Sequence, residues 1–201
     1  MRETEGYQVR GPAEEIVGSL AGRTALVVGG AEGGYKDAEK VRQYFNPVIF
    51  AANDVGMYLP VVHHWVSLHW EKLFHWSKAR QTDGSLWQDY KTHTSFFRTS
   101  NADYVWSIEP CTFSLSGNFA MQLAYLMGAD RIILAGCPGN RARRFFEPEP
   151  RADYSYGGGD TNADCRDREQ FLKEMRRVPG MKERIRSCSG WTQEFFGGPG
   201  D

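Results

Sequence analysis

The sequence predicts an α/β fold: a three-layer, Rossmann-like domain on a mainly parallel sheet. Three observations predict it. Short continuous runs of branched apolar residues, Thr24-Ala-Leu-Val-Val-Gly29, Pro47-Val-Ile-Phe-Ala-Ala52 and Arg131-Ile-Ile-Leu-Ala135, have the composition of strands buried on both faces. Helical patterns separate these runs, and strands that alternate with helices make a parallel sheet covered on both sides. A glycine-rich turn, Gly29-Gly-Ala-Glu-Gly-Gly34, joins the first run to the first helix.

Residues 1–22 read as a polar arm with one short helix over 13–20. After the strand at 24–29 and the glycine turn, residues 37–45 form an amphipathic helix with Val41, Tyr44 and Phe45 on one side. The second strand ends at Asn53-Asp54. Residues 65–69 read as a third strand and 71–79 as a helix. Residues 81–101 carry turn formers and read as loop, and 104–108 as a fourth strand. The clearest helix runs from Ser116 to Met127, with Ser116 as its natural N-cap and Gly128 as its natural C-cap. The strand at 131–135 ends at Gly136-Cys137-Pro138. Residues 146–164, rich in Pro, Gly, Asp and Tyr, read as a long loop or lid. Residues 167–175 read as a helix, and 197–201 as a frayed tail. All 201 residues fit one domain.

Composition excludes several function classes. Net charge is −1, so no global field draws the chain to nucleic acid or an anionic membrane. No apolar run reaches the ~20 residues of a membrane span, and residues 1–11 are polar, unlike a secretory signal. Cys111, Cys137, Cys165 and Cys188 have no C-x-x-C spacing. A cytoplasmic protein with reduced thiols is expected, and a homo-oligomer is compatible with the sequence. The segment 141–186 holds twelve Lys/Arg against nine Asp/Glu. The plainer reading is a solvated mixed-charge helix, and the sharper one a basic rim for a phosphate.

In a parallel sheet, ligands bind in the crevice outside the carboxyl ends of the strands. That rule brings together the glycine turn, Asn53-Asp54, His69 to Glu71, Ser116-Gly117-Asn118 and Cys137-Pro138. The turn can aim backbone N–H groups at an anion, but it is neither G-x-G-x-x-G nor a P-loop. The Ser116 helix start offers free N–H groups and a partial positive charge. Asn53 can bond a base or ribose, and Asp54 a hydroxyl or metal-bound water; alternatively both close a turn. His69 is a candidate base, or a structural histidine. The run His63-His64-Trp65-Val-Ser-Leu-His69 does not gather three ligands, so no zinc site is expected. Cys137 is a reactive thiol or a small buried residue.

Three segments carry a family resemblance: Ala25-Leu-Val-Val-Gly-Gly-Ala31, Val48-Ile-Phe-Ala-Ala-Asn-Asp54, and residues 114–136 from Ser114-Leu-Ser-Gly-Asn-Phe to Ile-Leu-Ala-Gly136. Their order resembles the bacterial sialyltransferases that use CMP-sialic acid, and the proteins grouped with archaeal 6-hydroxymethylpterin diphosphokinase. The resemblance covers residues 24–137. It implies a nucleotide surrounded by Gly29, Gly30, Asn53, Ser116 and Gly117, with Tyr154 and Tyr156 on the phosphate; Ala31 of the turn and Asn118 of the helix start are nucleotide-binding candidates by position. Where those families have an Asp after the final glycine this chain has Cys137-Pro138, and it has no histidine after His93. The segment 186–197 resembles small phage proteins.

The function expected first is a nucleotide- or nucleotide-sugar-dependent transferase with Asp54 or His69 as base, working mainly by positioning and by stabilising a leaving phosphate. The second is pyrophosphoryl transfer from ATP, with Mg²⁺ on Asp54, Glu32 and Glu71. The third is non-catalytic binding or sequestering of a nucleotide, which the missing Asp and His favour.

Overall fold

The computed structural model describes residues 3–4, 7–10, 12–84, 86, 89–95, 101–109, 115–139, 144–146 and 162–201. In chain order its strands are β1 (Glu3–Thr4), β2 (Tyr7–Arg10), β3 (Thr24–Val28), β4 (Val48–Ala52), β5 (His64–Val66), β6 (Lys91–Thr94), β7 (Tyr104–Val105), β8 (Ser107–Glu109), β9 (Arg131–Ala135) and β10 (Ile185–Ser187). The helices are α1 (Gly34–Phe45), α2 (Trp70–Gln81), α3 (Ser116–Leu126), α4 (Asn162–Met175), α5 (Met181–Arg184) and α6 (Gly190–Phe196), with 3-10 turns at Pro12–Ile16 and Asn53–Met57.

Seven strands make one sheet in the order β10-β9-β3-β4-β5-β6-β7, every neighbouring pair parallel. Alternation along β3 explains the layers. Leu26 and Val28 face a core closed by Ala38 and Val41 of α1 and Leu73 of α2. Ala25 and Val27 face a second core closed by α3, by Phe171 and Met175 of α4, and by Phe196 of α6. A sheet covered on both faces needs apolar residues at every position, which is why β3, β4 and β9 read as continuous apolar runs. Helix α3 is buried from Asn118 to Leu126. It ends as expected at Gly128, whose φ of +88° lets the Ala129 amide reach the Ala124 carbonyl at 3.0 Å.

Several expectations are corrected. The polar arm is not a bare extension: β1 pairs with β2 and β2 with β8 in a three-stranded antiparallel sheet, and Ala13, Val17 and Leu20 are buried. Residues 81–101 contain β6, an edge-side strand whose polar sequence hides it. The strand expected at 104–108 breaks at Trp106, where the chain leaves the large sheet for the small one. Residues 185–187 are a strand that periodicity missed. The tail does not fray: the Gly197 carbonyl accepts from the Ser187 amide at 3.0 Å and the Pro199 carbonyl from Arg131 at 3.2 Å. Of the loop at 146–164, residues 147–161 lie outside the described residues. Among the described residues no helix is long and apolar enough to cross a membrane.

Candidate functional site

The chain runs outward from β3 to β7, then returns through α3 to place β9 on the other side of β3. The strand order therefore reverses between β3 and β9, and at such a switch point the connections leave on opposite faces and open a crevice. Val28 pairs with Ala135 at the ends of these strands. The chains stay together just beyond: the Gly29 amide donates to the Ala135 carbonyl at 2.8 Å, and the Ala31 amide to the Gly136 carbonyl at 3.1 Å. Glycine is required for this approach. A Cβ on Gly29 would lie 2.5 Å from the Gly136 oxygen, one on Gly136 would lie 2.4 Å from the Gly29 oxygen, and one on Gly34 would lie 2.7 Å from Gly136 Cα.

A cleft of about 280 Å³ opens at this point. The glycine turn (Gly30, Ala31), the start of α3 (Leu115, Gly117, Asn118), the β9 exit (Gly136 to Gly139), Arg144, Arg168, Phe171, Trp191 and Thr192 line it. Helix α3 begins there without a side-chain cap; its N-cap residue is Leu115. The first main-chain bond runs from Phe119 N to Leu115 O at 3.0 Å, so the amides of Gly117 and Asn118 precede it. A Cβ on Gly117 would meet nothing within 4 Å, so packing does not demand this glycine. Apolar walls come from Met121, Phe171 and Trp191, the two aromatic rings meeting edge-on at 5.8 Å. Arg168 lies 5.3 Å over the Trp191 ring and donates to the Gly139 carbonyl at 3.0 Å. Arg144 bridges to Ala31 in main chain and donates through its side chain to Asp54.

The expected site residues divide. Gly30, Ala31, Gly117 and Asn118 line the cleft. Gly29 packs behind it. Ser116 is not the N-cap: it is the first helical residue, buried, and its Oγ accepts from the Leu68 amide at 3.1 Å, tying the segment after β5 to α3. Asn53 has a positive φ of 58°, which asparagine tolerates. It locks the β4 exit, with Oδ1 accepting from Ser67 at 2.9 Å and its carbonyl accepting from Trp65 Nε1 at 2.5 Å. Asp54 holds Arg144 and does not line the cleft. His69 sits exposed at the start of α2, beyond β5, two strands from β3 on the side away from β9. Tyr154 and Tyr156 lie outside the described residues.

Sequence reasoning missed Arg144, Arg168, Phe171 and Trp191 as wall residues. The basic surplus over 141–186 was the available signal for the two arginines. Cys137 lines the cleft, and burial pushes its thiol up to about 12, so it stays protonated at neutral pH. Among the described residues no three of His, Cys, Asp and Glu gather to hold a metal, and Asp54, Glu32 and Glu71 are not brought together.

No family model, curated protein or solved structure matches this chain.

Proposed function

We propose that the switch-point cleft binds a nucleotide or nucleotide sugar by its phosphate. The observation that carries this reading is the uncapped start of α3, with Gly117 facing open space, in a cleft shared with Arg144 and Arg168. A helix N-terminus supplies converging N–H groups and partial positive charge, and guanidinium groups supply charge-assisted donors. The apolar wall of Met121, Phe171 and Trp191 suits a base or other flat ring. In the transferase form of this reading, catalysis rests on positioning and on stabilising the leaving phosphate. The pyrophosphokinase form loses support, because its carboxylates do not gather.

One observation favours non-catalytic binding as a second reading: no Asp, Glu or His is among the described residues lining the cleft. A thermal-shift screen against nucleoside phosphates and nucleotide sugars, with and without Mg²⁺, tests binding. A ligand at a hundredfold its Kd adds about 2.7 kcal/mol to stability. Stabilisation by a nucleotide sugar with turnover of that sugar supports the transferase. Stabilisation without turnover supports the binding protein. No stabilisation by any nucleotide removes both.

A further inference from the structure

Asn118 is buried to 5% exposure yet lines the cleft. Its Nδ2 donates to Glu174 Oε2 at 2.5 Å, linking α3 to α4. A carboxylate only accepts, so this bond fixes which way the carboxamide faces: nitrogen to Glu174, oxygen away from it. The second Glu174 oxygen accepts from Gln170 Nε2 at 2.9 Å, one turn earlier on α4, so the brace is itself held. Glu174 is 2% exposed and does not line the cleft. Among the described residues no group donates to Asn118 Oδ1. A side-chain carbonyl oxygen that lines a cleft and takes no protein donor can accept one from a ligand or water.

We infer that Asn118 is the acceptor for a ribose hydroxyl of the bound nucleotide, and that Glu174 is the positioning residue that turns its carbonyl to the ligand. This rests on the nucleotide reading above. The choice of ribose follows from connectivity. Asn118 is the next residue after Gly117, whose amide stands where the phosphate would sit, and the ribose is the ligand part bonded directly to that phosphate. The base is further along and meets the apolar wall instead. Asn118 then reads the sugar while the arginines hold the charge, so the site prefers ribonucleotides over analogues without a hydroxyl.

Calorimetric titration of the full chain with AMP, CMP, GMP and UMP and with their 2′,3′-dideoxy counterparts tests this. The wild-type protein binds its preferred ribonucleotide roughly tenfold more tightly than the dideoxy form, as one buried hydrogen bond implies. Asn118→Leu abolishes that ratio. Glu174→Met lowers the ratio below about threefold, and Glu174→Gln, which still hydrogen-bonds the carboxamide, restores part of it; circular dichroism verifies that each variant is folded. Binding of nucleotides with no preference for the hydroxyl, or a preference that survives Asn118→Leu, overturns the inference and leaves the nucleotide reading standing. No binding of any nucleotide overturns both.

Discussion

The guanidinium of Arg144 donates to the carboxylate of Asp54, joining residues 90 positions apart in the chain. The pair straps the segment 144–146 across the β3 exit, where the Phe145 amide also donates to the Gly30 carbonyl at 2.9 Å. Asp54, a candidate base on sequence grounds, is thereby a partner of a cleft arginine.

Arg144→Met is expected to weaken nucleotide binding by tenfold or more, because a charge-assisted donor to phosphate is lost. Asp54→Asn removes a negative charge beside that arginine and is expected to leave affinity equal or higher. Titration calorimetry on both variants separates the roles: a tenfold loss of binding with Asp54→Asn would return Asp54 to the ligand-contacting set.

Two glycines of the same cleft respond in opposite directions. Gly117→Ala places a methyl in open space on a helix, so stability rises by about 0.5 kcal/mol while ligand affinity falls. Gly136→Ala puts a Cβ against the Gly29 carbonyl at a φ of +65° and is expected to cost about 3 kcal/mol. Urea unfolding of both variants measures this. Equal destabilisation by the two substitutions would contradict the assignment of one to ligand approach and the other to chain packing.

Acid sensitivity follows from a buried ladder. Trp106 Nε1 can only donate, so His93 Nδ1 accepts from it at 3.0 Å. The His93 proton then sits on Nε2 and is donated to His64 Nδ1 at 2.9 Å. Burial, with a smaller contribution from His63, pushes His64 down to about 4; burial, with His64 beside it, holds His93 well below 6.5. Above pH 6.5 both rings are neutral in the folded and unfolded chains, and stability is full. As pH falls from 6.5 toward 4 the unfolded chain takes up protons that the folded chain refuses, so stability is lost. His64 alone accounts for about 3 kcal/mol over that window. Urea midpoints measured from pH 7.5 to 4.5 are expected to fall below pH 6.5 and stay level above it. A level profile throughout would refute the neutral ladder.

Thiol chemistry gives a further check. Burial pushes Cys137 up to about 12 and Cys188 up to about 11, so neither carries thiolate at neutral pH. Native protein treated with iodoacetamide at pH 7.5 is expected to be alkylated slowly at both residues, and quickly once urea is added. Peptide mass spectrometry reads each site; rapid native labelling at Cys137 would reopen it as a nucleophile.

The sheet interior was legible because burial on two faces writes an unbroken apolar run, as in Thr24–Val28 and Val48–Ala52. The sheet margins were not. Lys91–Thr94 and Ile185–Ser187 are short and partly polar, and their places come from pairing with neighbours already in position. Part of the cleft was legible by rule: Gly30, Ala31, Gly117 and Asn118 follow from strand ends and a helix start. Arg144, Arg168 and Trp191 follow no local rule, because a side chain's place on a rim depends on where a distant segment docks.

The sequence by itself determined the α/β class, the central strands, helix α3 with its glycine terminus, and the glycines that mark the crevice. Each is a local matter of periodicity, backbone freedom and capping. Tertiary structure alone decided which strand end holds the cleft, that Ser116 serves Leu68, that Asn53 locks a turn, and that Asn118 meets Glu174, 56 residues away. Those outcomes depend on the reversal of strand order between β3 and β9. Packing both faces of the sheet brings these distant segments together, and no single segment encodes the resulting contacts.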